Sequence, residues 1–499
     1  MKRIVVMLLI VIDLLVFSQF ALSAPLDISG GVNDEYTYSE MVFVSGKPIK
    51  FSGTFKLSEK ETDKLKTVSC KFSLIPEDKT IKGKLERKVN YQVSYTKHSD
   101  KGQTVGQGVV KSYSEDITID KDKYALEDYQ YSQSDVIDNC PASNFYSGTL
   151  QARKTYSLNK DKGQVILEIS GGDVGYSNFW GNTETQLLDY NLDAYRDITA
   201  NAKTTRVTWQ GTVAVTLSGS TAKTLTYDDN TADLSSFSGG YMRITNSEMT
   251  SRYDYDLPVM KAATNTAPET PDTSARNRNA VSIATNRLPQ IERLLIPKFR
   301  DTGGHWAEDD INQLYSLNIF EGKPQFFLPD VPMTRLDFVL AVVKATNMRP
   351  DQPVKKTTAK ASTELSPFTD LKSTDPNYSY VKEALDKGII SQSQEFMPNN
   401  PVTRAQAISI LIRALGFQSK APALGYNTAF ADDSSIPSWS KDCIYVAREI
   451  GIIEGDAHNH VNANRVMTRA EASVMLNKFL GFLQKDLTKD YRDNIVLYK

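Results

Sequence analysis

The chain is poor in the residues that support metal or thiol chemistry, with three cysteines and four histidines among its 499 residues. Cys70, Cys140 and Cys443 form no Cys-x-x-Cys unit with one another, and His98, His305, His458 and His460 add no ligand spacing, so neither a zinc site nor any other metal or cofactor is expected. An excess of one charge is also missing. A net charge of -2 gives no reason to expect nucleic acid or an anionic membrane as partner, so an anionic ligand has to be held by a local cluster of Arg or Lys. Long apolar runs are confined to the first residues, where Lys2 and Arg3 precede Ile4 to Phe17 and small residues follow at Ala21, Ser23 and Ala24. This is the layout of a secretory signal peptide over residues 1–23, with an uncleaved membrane anchor as the alternative. The run is shorter than the roughly 20 apolar residues of a bilayer span, and Asp13 interrupts it. The expectation is therefore an extracellular protein with no membrane partner once the signal is cut. In an exported chain Cys70 and Cys140 are candidates for a disulfide, with a buried free thiol as the alternative at Cys70.

What is present divides into zones. Residues 24–260 alternate apolar and polar positions, as in Val89-x-Tyr91-x-Val93-x-Tyr95 and Val213-x-Val215-x-Leu217, between short stretches of Gly, Ser, Asn and Asp. Seventeen of the 24 tyrosines fall there, which suits pleated sheet. The zone reads as an all-β domain, sandwich-like or built of elongated sheets. Residues 261–297 begin with Ala, Thr, Asn and Pro and hold few apolar side chains, the composition of a flexible linker.

From residue 298 a repeat appears. Phe-x-Asp opens it at Phe299-Arg300-Asp301, Phe368-Thr369-Asp370 and Phe430-Ala431-Asp432, at spacings of 69 and 62 residues. A Thr-Arg-x-acid/amide box follows at Thr334-Arg335-Leu336-Asp337, Thr403-Arg404-Ala405-Gln406 and Thr468-Arg469-Ala470-Glu471. Each repeat reads as helix, loop, helix. The turn between is left-handed at Gly388 and Gly451, with Asn318 in their place in the first copy. Thr-x-x-Glu/Gln is a capping box, which explains the Thr and the acid without any ligand. The Arg between them stands against the dipole of its own helix in all three copies. Beside unpaired backbone N–H groups it would cradle a carboxylate or phosphate; pairing with an Asp of a neighbouring repeat is the alternative.

These marks, together with His305-Trp306-Ala307 and Phe430-Ala431-Asp432-Asp433-Ser434-Ser435-Ile436-Pro437-Ser438-Trp439, resemble three S-layer homology domains at 298–350, 366–418 and 428–484, with a tail at 485–499. The resemblance implies an all-α three-pronged spindle around a central helix bundle. It also implies an exported protein held without covalent linkage to pyruvylated secondary cell-wall polymer, a peptidoglycan-linked polysaccharide, with other surface-layer proteins as further partners. The binding residues it implies are Arg335, Arg404, Arg469, Asp301, Asp370, Asp432, Trp306 and Trp439. Core packing for each Trp and helix capping for each Asp are the plainer readings. Pro376 stands where the family tends to place Trp, so unequal grooves are expected, the best preserved being the one that carries Arg469 and Trp439.

For the front domain no catalytic residue is indicated. His98 lacks a triad context and no Gly-x-Ser-x-Gly elbow is present. Structural packing, carbohydrate binding through Tyr176, Phe179 and Trp180, and glycoside hydrolysis by an acid pair such as Asp116 with Asp120 or Glu127 with Asp128 remain the competing roles.

Overall fold

A computed structural model describes residues 30–34, 37–200, 203–229, 239–261, 269–322, 325–348, 365–423 and 425–486. The expected signal peptide, most of the expected tail and residues 262–268 lie outside these described residues. No helix within them is long and apolar enough to cross a membrane.

Alternating sequence yields strands throughout the first part: β1 (Val32–Asn33), β2 (Thr37–Val42), β3 (Ile49–Glu61), β4 (Leu65–Pro76), β5 (Gly83–His98), β6 (Gln103–Ile119), β7 (Asp122–Asn139), β8 (Ser143–Leu158), β9 (Gly163–Asn178), β10 (Gly181–Ala200), β11 (Lys203–Asp228), β12 (Gly240–Lys261), β13 (Thr270–Asn286) and β14 (Gln290–Leu295). Each strand from β1 to β13 pairs antiparallel with its sequence neighbour, and β14 returns to β12. The all-β expectation is met by one continuous curled meander rather than two facing sheets. Short hairpins keep consecutive strands adjacent, and the accumulated twist rolls the sheet until β1 lies beside β12 and β13. Tyr253 marks that closure, its hydroxyl donating to the Gly30 carbonyl at 2.7 Å, and Arg287 donates to the Asn33 carbonyl at 2.9 Å.

The inner face is largely apolar, with Phe51, Val68, Leu74, Val215 and Tyr253 buried, and it holds a charged knot. There Arg87 grips Glu40 at 2.8 and 2.7 Å and Glu115 at 2.5 Å, while Lys154 reaches Glu115 at 3.2 Å. Burial by itself would raise the Glu115 carboxyl, but Arg87 and Lys154 outweigh it and hold it well below the usual carboxylate range.

The linker expectation is corrected over much of its length, because residues 270–286 and 290–295 are strands. Composition misled here because β13 draws on the backbone ladder with β12 and on charge pairs more than on apolar burial. Arg276 and Arg278 both bind Asp256, at 2.6 and 2.9 Å. Cys70 and Cys140 do not pair, and no disulfide is formed among the described residues, which leaves the buried thiol for Cys70. Cys70 sits inside the sheet opposite Leu57 and Val89. Cys140 stands at the far end of β7, where its sulfur occupies the space that a side chain on Gly416 would need.

Three helix pairs follow: α1 (Glu308–Ser316) with α2 (Arg335–Ala345), α3 (Tyr378–Asp386) with α4 (Arg404–Leu415), and α5 (Ser438–Glu449) with α6 (Arg469–Gly481). The second helix of each pair packs on the first helix of the next, α2 on α3, α4 on α5 and α6 on α1, so the set closes on itself. Asn318, Gly388 and Gly451 hold φ of 55°, 71° and 75° at the three helix ends, where a left-handed residue stops a helix.

Loops of the sheet seal one end of this bundle. Trp180 Nε1 donates to the Ala345 carbonyl at 3.1 Å, the Ala142 N–H to Ala414 at 2.7 Å, and Asn178 to Leu483 at 3.2 Å. The recipients lie in or just past the last turns of α2, α4 and α6, where carbonyls lack intrahelical partners. Tyr176 and Trp180 are buried in the helical core, so neither forms the exposed sugar platform considered from the sequence.

Candidate functional site

The Thr-Arg boxes behave locally as their sequence demands. Thr403 and Thr468 complete capping boxes with Gln406 and Glu471, and Thr334 accepts from the Asp337 N–H alone. The unpaired N–H cradle expected at these helix starts is absent, and the reason lies in the neighbouring repeat. Arg335 and Leu336 donate their backbone N–H groups to Asn400 and Pro398, Arg404 and Ala405 to Arg465 and Ala463, Arg469 and Ala470 to Val331 and Pro329. Each repeat thus caps its long helix on the loop of the next, and the third returns to the first.

The opening acids serve those loops. Asp301 accepts from the Phe327 and Leu328 N–H groups, Asp370 from Phe396 and Met397, and Asp432 from Val461 and Asn462, at 2.7–2.9 Å. The second donor of each pair has positive φ, at 59°, 60° and 53°. Two charge-assisted bonds therefore hold a backbone turn that a non-glycine residue adopts only at a cost. These acids clamp loops rather than cap helices.

The box arginines also cross repeat boundaries. Arg335 lies over the Phe396 ring at 5.4 Å, Arg404 donates to the Glu454 carbonyl at 3.2 Å, and Arg469 donates to the Phe327 carbonyl at 3.0 Å above the Phe327 ring. Nine positions after each box Arg stands a second cation: Lys344, Arg413 and Lys478. In two of the three places a carboxylate attends these cations. Lys344 pairs with Glu321 at 3.0 Å and Arg469 with Asp337 at 3.6 Å; Lys478 pairs with Glu454 at 3.5 Å, with Glu471 and Asp456 near Arg404. The residue equivalent to Glu321 and Glu454 in the second repeat is Ser391. There Arg413 donates to the Ser391 hydroxyl at 2.7 Å, and neither it nor Arg335 makes an ion pair among the described residues. Burial, and Arg413 beside it, lower the Arg335 pKa from its ordinary value.

Arg413 and Ser391 open on a groove of about 960 Å³ between α3 and α5. Trp439 stands on its wall, 54% exposed, with Gln392 and Lys382 nearby. Trp306 is exposed at the equivalent place of the first repeat, its ring 5.3 Å from that of His305. Arg469, expected to share a groove with Trp439, does not line the one that holds it. Arg469 faces the first repeat, whereas Trp439 meets the second, because box arginines reach across to the following repeat. Asp301, Asp370 and Asp432 do not line the groove. Sequence reasoning missed Arg413, although a basic residue at a constant offset after each box was the available signal.

The S-layer homology domain family matches residues 298–339 and 367–408. The chain carries S-layer homology domains. Over 191 residues, 38% of the chain, it is 30% identical to an exoglucanase, XynX, of Acetivibrio thermocellus and to an amylopullulanase of Thermoanaerobacterium thermosulfurigenes. Over 210 residues, 41% of the chain, it is 22% identical to a surface-layer 125 kDa protein of Lysinibacillus sphaericus. The chain spans 16%, 10% and 16% of these relatives' lengths. The enzymes among them share the S-layer homology region rather than the sheet. The S-layer homology domains and the surface proteins that share them make this an extracellular protein associated with the cell wall.

Proposed function

We propose that the protein is held without covalent linkage to an acidic, pyruvylated secondary cell-wall polysaccharide by its three helical repeats, read together as a three-pronged spindle, and that it displays the curled sheet as a structural or binding domain rather than an enzyme. The observation that carries this reading is the groove between the second and third repeats. It brings Arg413, with Arg335 close behind it, together with the exposed face of Trp439. Of the two carboxylates that also line it, Asp386 is paired with Lys382 and Asp442 stands beside Trp439 in α5. A guanidinium pair binds an acidic substituent bidentately, and an indole face covers a sugar ring. In this reading Arg335 and Arg413 take the acid and Trp439 takes the sugar. Arg404, Arg469 and Trp306 serve the weaker grooves, and Asp301, Asp370 and Asp432 keep the loops in shape. Other surface-layer proteins are partners for the sheet.

Co-sedimentation of the full chain with purified cell walls tests it, before and after removal of the secondary polymer. The chain is expected to pellet only with intact walls, and a folded Arg335→Gln, Arg413→Gln variant to remain largely in solution. Undiminished pelleting of that variant would remove the groove from the reading.

A further inference from the structure

Where the sheet meets the helices lies a second cavity, of about 700 Å³, lined by the β7–β8 and β9–β10 turns, by β11, β12 and β14, and by the ends of α2 and α3. Its charges do not balance. Among the described residues Lys223, Arg243 and Lys387 line it, against the carboxylate of Glu292. Arg243 pairs with Glu292. Lys223, 6% exposed, donates to the Phe179 carbonyl at 2.7 Å and lies 4.0 Å from the centre of the Phe179 ring. The Arg243 guanidinium is 5.6 Å from the same ring. Burial, and then Arg243, push the Lys223 ammonium down to about 8 against the opposing pull of Glu292. Independently, Ser143 lines the cavity at 4% exposure, and its Oγ has no hydrogen-bond partner among the described residues. Buried hydroxyls are ordinarily bonded, so one left open at the wall of a cationic cavity points to a ligand.

We propose that this junction cavity binds a small oxyanion, a phosphate or a carboxylate group, between Lys223, Arg243 and the Ser143 hydroxyl, against the Phe179 ring. Lys387 and Asn347 reach the cavity from the helical side. An anion there would touch both parts of the molecule and tighten their contact. The site uses cations of the sheet and none of the wall-binding groove, so it stands apart from the anchoring function.

Isothermal titration calorimetry of the full chain, with sodium phosphate and separately with sodium pyruvate at constant ionic strength, is the test. Repeating both titrations on the Arg335→Gln, Arg413→Gln protein separates the junction from the groove. Saturable one-to-one binding of at least one anion is expected, and the tighter of the two identifies the chemistry. Arg243→Gln and, separately, Ser143→Ala should each weaken it, the former by roughly tenfold. Absence of saturable heat with both anions would overturn the proposal. So would unchanged affinity in a folded Arg243→Gln protein.

Discussion

Arg87 and Arg413 carry the same side chain into two regions of the molecule and end in opposite situations. Inside the sheet Arg87 is surrounded by Glu40 and Glu115, and its charge is fully matched. In the helical repeats Arg413 donates to the Ser391 hydroxyl, makes no ion pair among the described residues, and opens on a groove. A buried cation matched by fixed carboxylates holds a fold together, whereas one left unmatched at a cavity wall is available to a ligand. The repeats make the same comparison internally, since Lys344 and Lys478 occupy the position of Arg413 but keep their glutamates.

The comparison can be broken most severely from inside the sheet. Arg87→Met leaves Glu40 and Glu115 buried together without their counter-charge, and should cost about 3–5 kcal/mol in denaturant unfolding. Wall binding by whatever remains folded should be unaffected. Trp180→Ala removes the ring that plugs the end of the helix bundle and a bond to the Ala345 carbonyl. A loss of about 3 kcal/mol is expected, read as separate unfolding transitions for sheet and helices where a single one is expected of the wild type.

A third prediction concerns pH. Burial, and then Asp173 across Gly148, raise Asp135 to about 7. The folded protein therefore holds a proton that the unfolded chain releases near the ordinary carboxyl value, so stability falls as pH rises from about 4 towards 7 and is constant below that window. Asp135→Asn should remove this slope and raise stability at pH 7 by about 2–4 kcal/mol. A slope unchanged in the variant would place the titration elsewhere.

The smallest effect sharpens the contrast among repeats. Arg413→Gln should weaken wall binding by about tenfold, and Lys344→Gln by less than about threefold, because the latter charge is already spent on Glu321. Equal losses in sedimentation would mean that the three grooves work alike.

Much of this organisation was legible in the residues. Strand alternation such as Val213-x-Val215-x-Leu217 places apolar side chains on one face wherever the strand pairs, and the Thr-x-x-Glu box at Thr468 closes its two bonds within its own helix start. Residues 270–286 were illegible because their order comes from a partner strand and from Asp256, distant in sequence. The same holds for Asp301, Asp370 and Asp432, whose loop partners lie 26 to 30 positions away. Arg413 went unseen because its importance rests on an absence, a serine where the other repeats have glutamate, which matters only once the chain is folded.

The sequence by itself determined the local elements, the triplication and the presence of S-layer homology domains, since caps, turns and periodicity act over a few residues. Tertiary structure alone decided that each box arginine serves the next repeat, that the supposed linker is sheet, and that Trp180 plugs the helix ends. It also decided which cations keep their charge available. These outcomes depend on which distant groups come within a few ångströms, and charge matching and burial exist only at that range.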